Sequence, residues 1–316
     1  MKKLDSAKGH ASMFTANFLW GCLSPVSKAL LAIGLVLPVA LTTFRMVGAA
    51  IVFWIASFFM KKEHVNHRDL GLLFFASLLG VTFNQGSFIF GLAYTSPIDA
   101  SIVTTTAPII TMIISAIYLK EPVTGKKVLG IFMGALGALI LVISSNMGDV
   151  SAAGKNKIWG DLLCLFAQIC FSCYIVFFKD LVGRYSPVTI MKWMFTYASI
   201  CFIPFSFSDV SAINYEVLPK EAYYEIAYIV LLGTFVPYFL IPVGQKILRP
   251  TVASMYNYVQ PIVAALLAIM WGMDTFGWSK AIAVFLIFSG VYVVTQSRTK
   301  QQVEEYENTH LPESNK

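Results

Sequence analysis

Long apolar stretches alternate with short polar segments along most of this chain. Each apolar stretch runs for about 20 residues, enough for a helix to cross a hydrocarbon core of about 30 Å at about 1.5 Å per residue. The pattern therefore predicts ten membrane-spanning helices. Their predicted bounds are residues 12–36, 38–60, 69–93, 98–119, 125–144, 159–179, 187–207, 222–243, 250–271 and 276–297.

The second half of the chain repeats the first with an offset of 153 positions. Leu78-Leu79-Gly80 falls on Leu231-Leu232-Gly233, and Pro97 falls on Pro250. Matching Gly and Pro positions are informative, because apolar matches arise by chance in so hydrophobic a sequence. The chain is therefore predicted to be a duplicated unit. The predicted division is a cytoplasmic tail (1–11), repeat 1 with five spans (12–144), an external linker (145–158), repeat 2 with five spans (159–297) and a disordered cytoplasmic tail (298–316).

The number of spans in each repeat determines how the two repeats are oriented. Five is an odd number, so the second repeat enters the membrane upside down relative to the first, as in many secondary transporters. The predicted fold is an all-α integral membrane protein whose ten transmembrane helices form two inverted five-helix repeats. The alternative is an ancient duplication that serves only as a membrane scaffold without transport.

Composition and charge agree with a membrane location. Apolar residues make up 57% of the chain and charged residues 13%, and the mean hydropathy is +0.70. Outside the spans, sixteen Lys and Arg residues fall on one predicted side and four on the other. This asymmetry predicts that both termini are cytoplasmic, in a cell inner (cytoplasmic) membrane. The net charge of +6 is attributed to loops beside anionic lipid, with no nucleic acid as a partner.

Several short motifs resemble those of one transporter family. They are the stretch 91–101 (GLAYTSPIDAS), Pro108, Lys120-Glu121 at the end of the same span, Trp20-Gly21 in the first span and Arg45 in the second. In this order they resemble the EamA family of the drug/metabolite transporter superfamily. The resemblance implies a ten-helix exporter or exchanger of small metabolites. It also implies that helices 1, 3, 4, 6, 8 and 9 line a central cavity, and that helices 5 and 10 serve packing and dimerisation.

The second repeat departs from the family pattern at two places. Asp274 replaces the usual Glu after the ninth helix, and Gln245-Lys246 stands where the first repeat has Leu92-Ala93. These departures weaken what the resemblance implies about the second half of the binding site.

Polar residues at membrane depth indicate where the substrate site lies. An unpaired polar group in hydrocarbon costs several kcal/mol, so these side chains should face a packed interface or a wet cavity. Ser101, Thr104, Thr105 and Pro108 share one helical face, and the second repeat places equivalent residues on one face too. Small hydroxyl residues such as Ser101 can instead serve helix packing. The candidate substrate-binding residues are Asn17, Trp20, Lys28, Arg45, Asn84, Gln85, Ser101, Thr104, Thr105, Gln168, Tyr174, Tyr238, Asn257, Tyr258 and Gln260.

Four prolines within spans are predicted to kink helices or to open them locally, because proline removes a backbone hydrogen bond. They are Pro25, Pro108, Pro237 and Pro261.

Lys28 and Arg45 are candidates for a cationic spot that meets a substrate carboxylate or phosphate, with Lys28 as the preferred residue. Snorkelling of both side chains to the outer membrane surface is the alternative. No Asp or Glu falls at the middle of a predicted span. Facilitated diffusion or substrate exchange is therefore favoured over tight coupling to protons.

These observations predict a secondary transporter, either an exporter or an exchanger. Its expected substrate is a small metabolite such as an amino acid or a related polar or amphipathic compound, moved by alternating access. One alternative is a carrier for a carboxylated or phosphorylated anion that Lys28 and Arg45 recognise. The other is a non-transporting membrane scaffold. No enzyme activity, cofactor or metal is expected, because the sequence has no phosphate-binding Gly loop or nucleophile elbow. The expected partners are the substrate and the lipid bilayer, and the protein is expected to be a monomer or a homodimer.

Overall fold

The computed structural model describes residues 2–95, 100, 103–144, 157–270 and 277–297. Every regular element in these ranges is helical. The α-helices are α1 (Lys2–Ala32), α2 (Pro38–Phe58), α3 (His67–Ser77), α4 (Asn84–Tyr94), α5 (Ala107–Tyr118), α6 (Gly125–Ser144), α7 (Lys157–Phe177), α8 (Lys179–Arg184), α9 (Pro187–Ser211), α10 (Lys220–Val230), α11 (Val236–Ile247), α12 (Pro250–Met255), α13 (Val259–Met270) and α14 (Trp278–Thr295).

Two π-helical segments and one 3₁₀ turn interrupt otherwise continuous rods. Leu78–Phe83 joins α3 to α4, and Leu231–Phe235 joins α10 to α11. Tyr256–Tyr258 forms the 3₁₀ turn between α12 and α13. Single π-helical turns inside helices are frequently found at functional sites, so these two segments are candidate parts of such a site.

The helix bounds repeat with the offset found in the sequence. α3 begins at His67 and α10 at Lys220, and each is followed by a π-helical segment that begins at Leu78 or Leu231. α6 begins at Gly125, and α14 begins 153 positions later. The two halves of the chain therefore fold into the same order of elements.

Several contacts between the halves join equivalent elements, or recur when the two halves are exchanged. α6 packs along its equivalent α14, and α2 packs along its equivalent α9. α4 packs against α7, and the equivalent pair with the halves exchanged, α11 and α1, is also in contact. These contacts between the two halves therefore occur between equivalent elements or equivalent pairs of elements.

Local sequence signals account for several helix ends. Asn66 caps α3 by accepting a hydrogen bond from the Arg68 amide at 3.2 Å, and Ser186 caps α9 by accepting from the Thr189 amide at 3.2 Å. Pro38 begins α2 at a position where its missing N–H costs no helix bond.

Six helical rods in the described ranges are long and apolar enough to cross a membrane: 38–58, 67–94, 158–177, 187–211, 220–247 and 278–295. Many large apolar side chains lie exposed on the outside of the bundle, including Phe58 and Phe205, each 79% exposed. A hydrophobic exterior of this kind suits contact with lipid. The chain is therefore a multi-pass membrane protein.

Some predicted bounds differ from the observed helices. α1 begins at Lys2, so residues predicted as an N-terminal tail continue the first helix, since nothing in residues 2–11 breaks it. The predicted third span, 69–93, is one rod composed of α3, a π-helical segment and α4. Residues 145–156 of the predicted linker, the predicted tail at 298–316, and Pro97, Ser101 and Asp274 lie outside the described residues.

Candidate functional site

A small cavity of about 50 Å³ lies between the two halves of the chain. Both halves supply its walls. The lining residues are Trp20, Leu23, Arg45, Asn84, Gln85, Phe88 and Thr104 from the first half, and Gln168, Phe171, Tyr238, Asn257 and Gln260 from the second.

Equivalent positions of the two halves meet in this cavity. Gln85 and Tyr238 are 153 positions apart and both line it, as do Thr104 and Asn257. Because related elements pack around the middle of the molecule, one sequence pattern contributes two walls of the same site.

An amide network forms one side of the cavity. Gln260 donates from Nε2 to Oδ1 of Asn17 at 3.0 Å, and the same nitrogen lies 3.4 Å from Oδ1 of Asn257. Asn17 in turn donates from Nδ2 to the Met13 carbonyl at 2.9 Å. Asn17 is buried and stands behind Gln260, so it orients a lining residue without lining the cavity itself.

Tyr238 and Asn84 form a second polar side. The Tyr238 hydroxyl lies 3.0 Å from the Gly80 carbonyl oxygen and 3.2 Å from Oδ1 of Asn84, and it donates to these acceptors. Asn84 donates from Nδ2 to the Ala167 carbonyl at 2.9 Å. Gly80 lies in the first π-helical segment, so that segment presents a carbonyl group beside the cavity.

Arg45 is the only cationic residue that lines the cavity among the described residues, and its side chain is only 2% exposed. It donates from Nε to Oγ1 of Thr234 at 3.0 Å. Within the described ranges it forms no ion pair and its two Nη nitrogens make no hydrogen bond with the protein. A buried charge without a counter-ion is costly, which makes Arg45 the dominant electrostatic feature of the site.

Gln85 lies beside the Tyr238 hydroxyl, but its buried amide makes no hydrogen bond of good geometry with the residues that the structure describes. It is 2% exposed, and neither Oε1 nor Nε2 makes a hydrogen bond with the described part of the chain. An amide left in this state costs about 1–3 kcal/mol for each unsatisfied group unless a bound molecule supplies the missing bonds.

Aromatic rings complete the walls. Trp20 contacts Phe171 edge-on at 5.4 Å between ring centroids and Tyr238 edge-on at 5.5 Å. Leu23 and Phe88 add further apolar surface. The cavity thus combines one cation, several amides and an aromatic wall, the mixture expected of a pocket for a small organic molecule.

Nine of the fifteen predicted substrate-binding residues line the cavity: Trp20, Arg45, Asn84, Gln85, Thr104, Gln168, Tyr238, Asn257 and Gln260. Thr105 is buried but is not a lining residue. Tyr174 donates its hydroxyl proton to Gln245 at 3.3 Å, and Tyr258 donates to the Ile131 carbonyl at 3.1 Å, so both hydroxyls are used inside the protein.

The structure does not bring Lys28 to the cavity. Its Nζ donates to the carbonyl oxygens of Leu92 at 2.8 Å and Thr95 at 3.1 Å, where α4 ends. An ammonium group there satisfies carbonyls that lack helical partners and interacts favourably with the helix dipole. Of the two predicted cations, the geometry therefore supports Arg45 and not Lys28 as a group that meets a ligand.

The four predicted kink prolines differ in position. Pro25 lies inside α1, which remains helical on both sides of it. Pro108 and Pro237 each lie in the first turn of a helix, and Pro237 is the second residue after the second π-helical segment. Pro261 is the third residue of α13, just after the 3₁₀ turn.

Sequence reasoning missed Leu23, Phe88 and Phe171 in the lining, and Thr234 beside it. The first three each lie three residues after a predicted site residue, so helical spacing from Trp20, Gln85 and Gln168 would have found them. Thr234 carried no such signal, because its position opposite Arg45 depends on how the two halves pack.

Comparisons with known proteins identify the class. The sequence model of the EamA-like transporter family matches residues 7–143 and 158–296, once for each half of the chain. The chain is 23% identical over 297 residues to the uncharacterized transporter YyaM of Bacillus subtilis, covering 92% of this chain and 93% of that protein. It is 25% identical over 264 residues to an uncharacterized transporter of Archaeoglobus fulgidus, covering 83% and 90%.

A solved crystal structure matches this fold with a TM-score of 0.72 at 18% identity, covering 92% of this chain and 96% of the other. A multi-pass helical protein with a polar cavity between two related halves belongs to the class of membrane transporters. More narrowly, the chain belongs to the EamA-like transporter family, as the match across both halves shows, and it is a transporter of the drug/metabolite type.

Proposed function

We propose that this protein is a secondary transporter that moves a small organic metabolite by alternating access through the central cavity. The observation that carries the proposal is the contribution of equivalent residues from both halves to one cavity, Gln85 with Tyr238 and Thr104 with Asn257. When two related halves share a site, rocking one against the other can open it to either side of the membrane in turn.

The proposal includes ten transmembrane helices arranged as two inverted five-helix repeats in a cell inner membrane. The distribution of Lys and Arg supports both termini in the cytoplasm. The transporter acts as an exporter or an exchanger, needs no cofactor, and works as a monomer or homodimer. The lining contains no Asp or Glu among the described residues, which supports exchange or facilitated diffusion over proton coupling.

Polar contacts between the halves that water can replace support a rocking motion. On the proposed cytoplasmic side, Arg184 donates to Oδ1 of Asp69 at 3.0 Å, and the Tyr185 hydroxyl donates to Oδ2 of the same carboxylate at 2.6 Å. Glu121 accepts from Thr251 of the second half at 3.1 Å, and also from Lys127 of its own half at 2.9 Å. Contacts of this kind hold one side closed and can be exchanged for contacts with water when that side opens.

The test is transport by the purified protein in liposomes loaded with a metabolite mixture, with the released compounds identified by mass spectrometry. Thr104→Leu and Asn257→Leu should each abolish release while the protein remains folded, because each replaces a polar wall with an apolar one. Thr295→Leu is the matched control, since the Thr295 hydroxyl bonds only to the Tyr292 carbonyl of its own helix. Release unchanged in both cavity variants would contradict transport through this site, and no release by wild type would favour the scaffold alternative.

A further inference from the structure

Resting on the function proposed above, we propose that the substrate is a small monocarboxylate with an apolar or aromatic body, held by Arg45. The proposal excludes zwitterions, cations and dianions as preferred substrates. It follows from the charge of the cavity, from the polar atoms left without partners and from the shape of the apolar wall.

The charge of the cavity favours an anionic substrate. Among the described lining residues Arg45 carries the one positive charge, and none is acidic. Its Nε is held by Thr234, which leaves the two Nη nitrogens for another partner. A guanidinium fork matches the geometry of a carboxylate, with two parallel hydrogen bonds. A bound carboxylate would therefore supply the counter-ion that the protein does not.

The number of cations limits the charge of the substrate. Lys28 is engaged with the carbonyl oxygens of Leu92 and Thr95, so it does not add a second positive charge to the cavity. A phosphate or dicarboxylate would bring a second negative charge into a buried site without a second cation to neutralise it. One cation therefore selects a monoanion.

The neutral polar groups explain why a zwitterion is disfavoured. Gln85 offers an amide that makes no hydrogen bond of good geometry with the described residues, and Gln260 and Asn257 add further amide groups. These groups satisfy hydroxyl, carbonyl or amide groups on a ligand. An ammonium group, by contrast, would find no carboxylate in the described lining to pair with its charge.

The remaining walls are apolar. Trp20 and Phe171 meet edge-on, and Leu23 and Phe88 extend the same hydrophobic surface. Burial of an apolar ligand body against such a wall is favourable in proportion to the area removed from water. The chemistry of the lining therefore matches a molecule with one anionic end and one hydrophobic end, and the two halves must move apart to admit it.

The test measures ligand binding to the purified full-length protein in detergent. Binding is detected by quenching of tryptophan fluorescence or by calorimetry. The probes are three matched sets, each containing a carboxylate, its uncharged amide, its α-amino acid and its malonate analogue. One such set is 3-phenylpropionate, 3-phenylpropionamide, phenylalanine and benzylmalonate; the other two have a branched aliphatic and an indole body. At least one carboxylate should bind about tenfold to a hundredfold more tightly than its three analogues.

Substitutions distinguish a residue that recognises the carboxylate from one that only stabilises the fold. Arg45→Gln should abolish the preference for the carboxylate over the amide, and Arg45→Lys should retain part of it because the charge remains. Lys28→Gln should leave the preference intact. Lys192→Gln is the matched control, since the Lys192 ammonium lies over the Trp54 ring, 4.8 Å from its centroid, and not in the cavity.

Each possible result is decisive. An equal loss of carboxylate and amide binding in Arg45→Gln, no carboxylate preference in any set, or a preference lost in Lys28→Gln alone would overturn the proposal. Release of a zwitterion from liposomes, unaffected by Arg45→Gln, would overturn the substrate class while leaving the transport function standing. Selective carboxylate binding without any release would support the proposed ligand class and contradict the transport function.

Discussion

Arg45 of the first half donates a hydrogen bond from Nε to Oγ1 of Thr234 in the second half, at 3.0 Å. The Thr234 hydroxyl donates its own proton to the Ile229 carbonyl, five residues earlier, at 2.8 Å. Thr234 lies within the second π-helical segment, Leu231–Phe235. The π-helical segment thus holds the guanidinium in place through one hydroxyl group.

Thr234→Val should therefore weaken ligand binding without removing the charge. The substitution keeps the shape of the side chain but leaves Nε of Arg45 without its partner, at a cost of about 1–3 kcal/mol. If the substitution disturbs the orientation of the guanidinium, the affinity for a carboxylate should fall about tenfold. Titration in detergent measures this affinity. Thr43→Val is the control, since the Thr43 hydroxyl bonds only to Val39 in its own helix. Equal effects of the two substitutions would show that Thr234 does not position Arg45.

Much of the architecture was accessible from the sequence because it follows from the duplication. The aligned Leu78-Leu79-Gly80 and Leu231-Leu232-Gly233 motifs begin the two π-helical segments, although sequence matching alone did not reveal their helical type. Polar residues at membrane depth also indicated the cavity, because burial forces such groups towards each other or towards water. Nine of the candidate residues line it.

The role of each polar residue was less predictable. Lys28 and Arg45 are equally charged, and the sequence favoured Lys28 as the residue that meets a substrate anion. Packing decided between them: the end of α4 approaches Lys28 and offers two carbonyls, whereas Arg45 meets one hydroxyl and an open space. The hydroxyls of Tyr174 and Tyr258 also have partners on other helices, and neither residue lines the cavity.

The contact between α6 and α14 predicts a large effect of a single methyl group. A Cβ at Gly290 would lie 2.5 Å from the Gly130 carbonyl oxygen and 2.8 Å from the Gly134 nitrogen, both backbone atoms. Gly290→Ala should therefore separate the two helices and destabilise the protein by about 1–3 kcal/mol, as other overpacked cores are destabilised. The measurement is the thermal unfolding midpoint in detergent. Gly71→Ala is the control, because its Cβ would have no neighbour within 4 Å. A Gly290→Ala midpoint no lower than that of Gly71→Ala would contradict close packing of this pair.

Cysteine labelling tests the proposed orientation in the membrane. Val123 and Tyr215 are exposed, at 55% and 44%, in connections predicted to lie on opposite sides. An impermeant maleimide added to intact cells should modify Tyr215→Cys, whereas Val123→Cys should react only after the membrane is opened. The unmodified chain provides the background, because its five cysteines all fall within predicted spans. External labelling at position 123 would reject the ten-span topology.

Glu63 provides a pH-dependent test of the contact between the halves on the proposed cytoplasmic side. Its carboxylate accepts from the Ser186 amide at 2.9 Å, beside the start of α9. Burial alone would raise the pKa of Glu63, but hydrogen bonds from Thr189 and Ser186 and the positive charge of Lys246 outweigh it and lower that pKa. A carboxylate with a lowered pKa in the folded state stabilises the protein above its unfolded pKa of about 4.5. This contribution is lost as the pH falls through the folded pKa.

The unfolding midpoint of the wild type should therefore fall as the pH is lowered from about 4.5. Glu63→Gln should have a lower midpoint at neutral pH and a smaller decrease in acid, because it has no carboxylate to protonate. The measurement is thermal unfolding in detergent at a series of pH values, with the exposed Glu216→Gln as the matched control. Parallel pH profiles for wild type and Glu63→Gln would show that this carboxylate does not join the two halves.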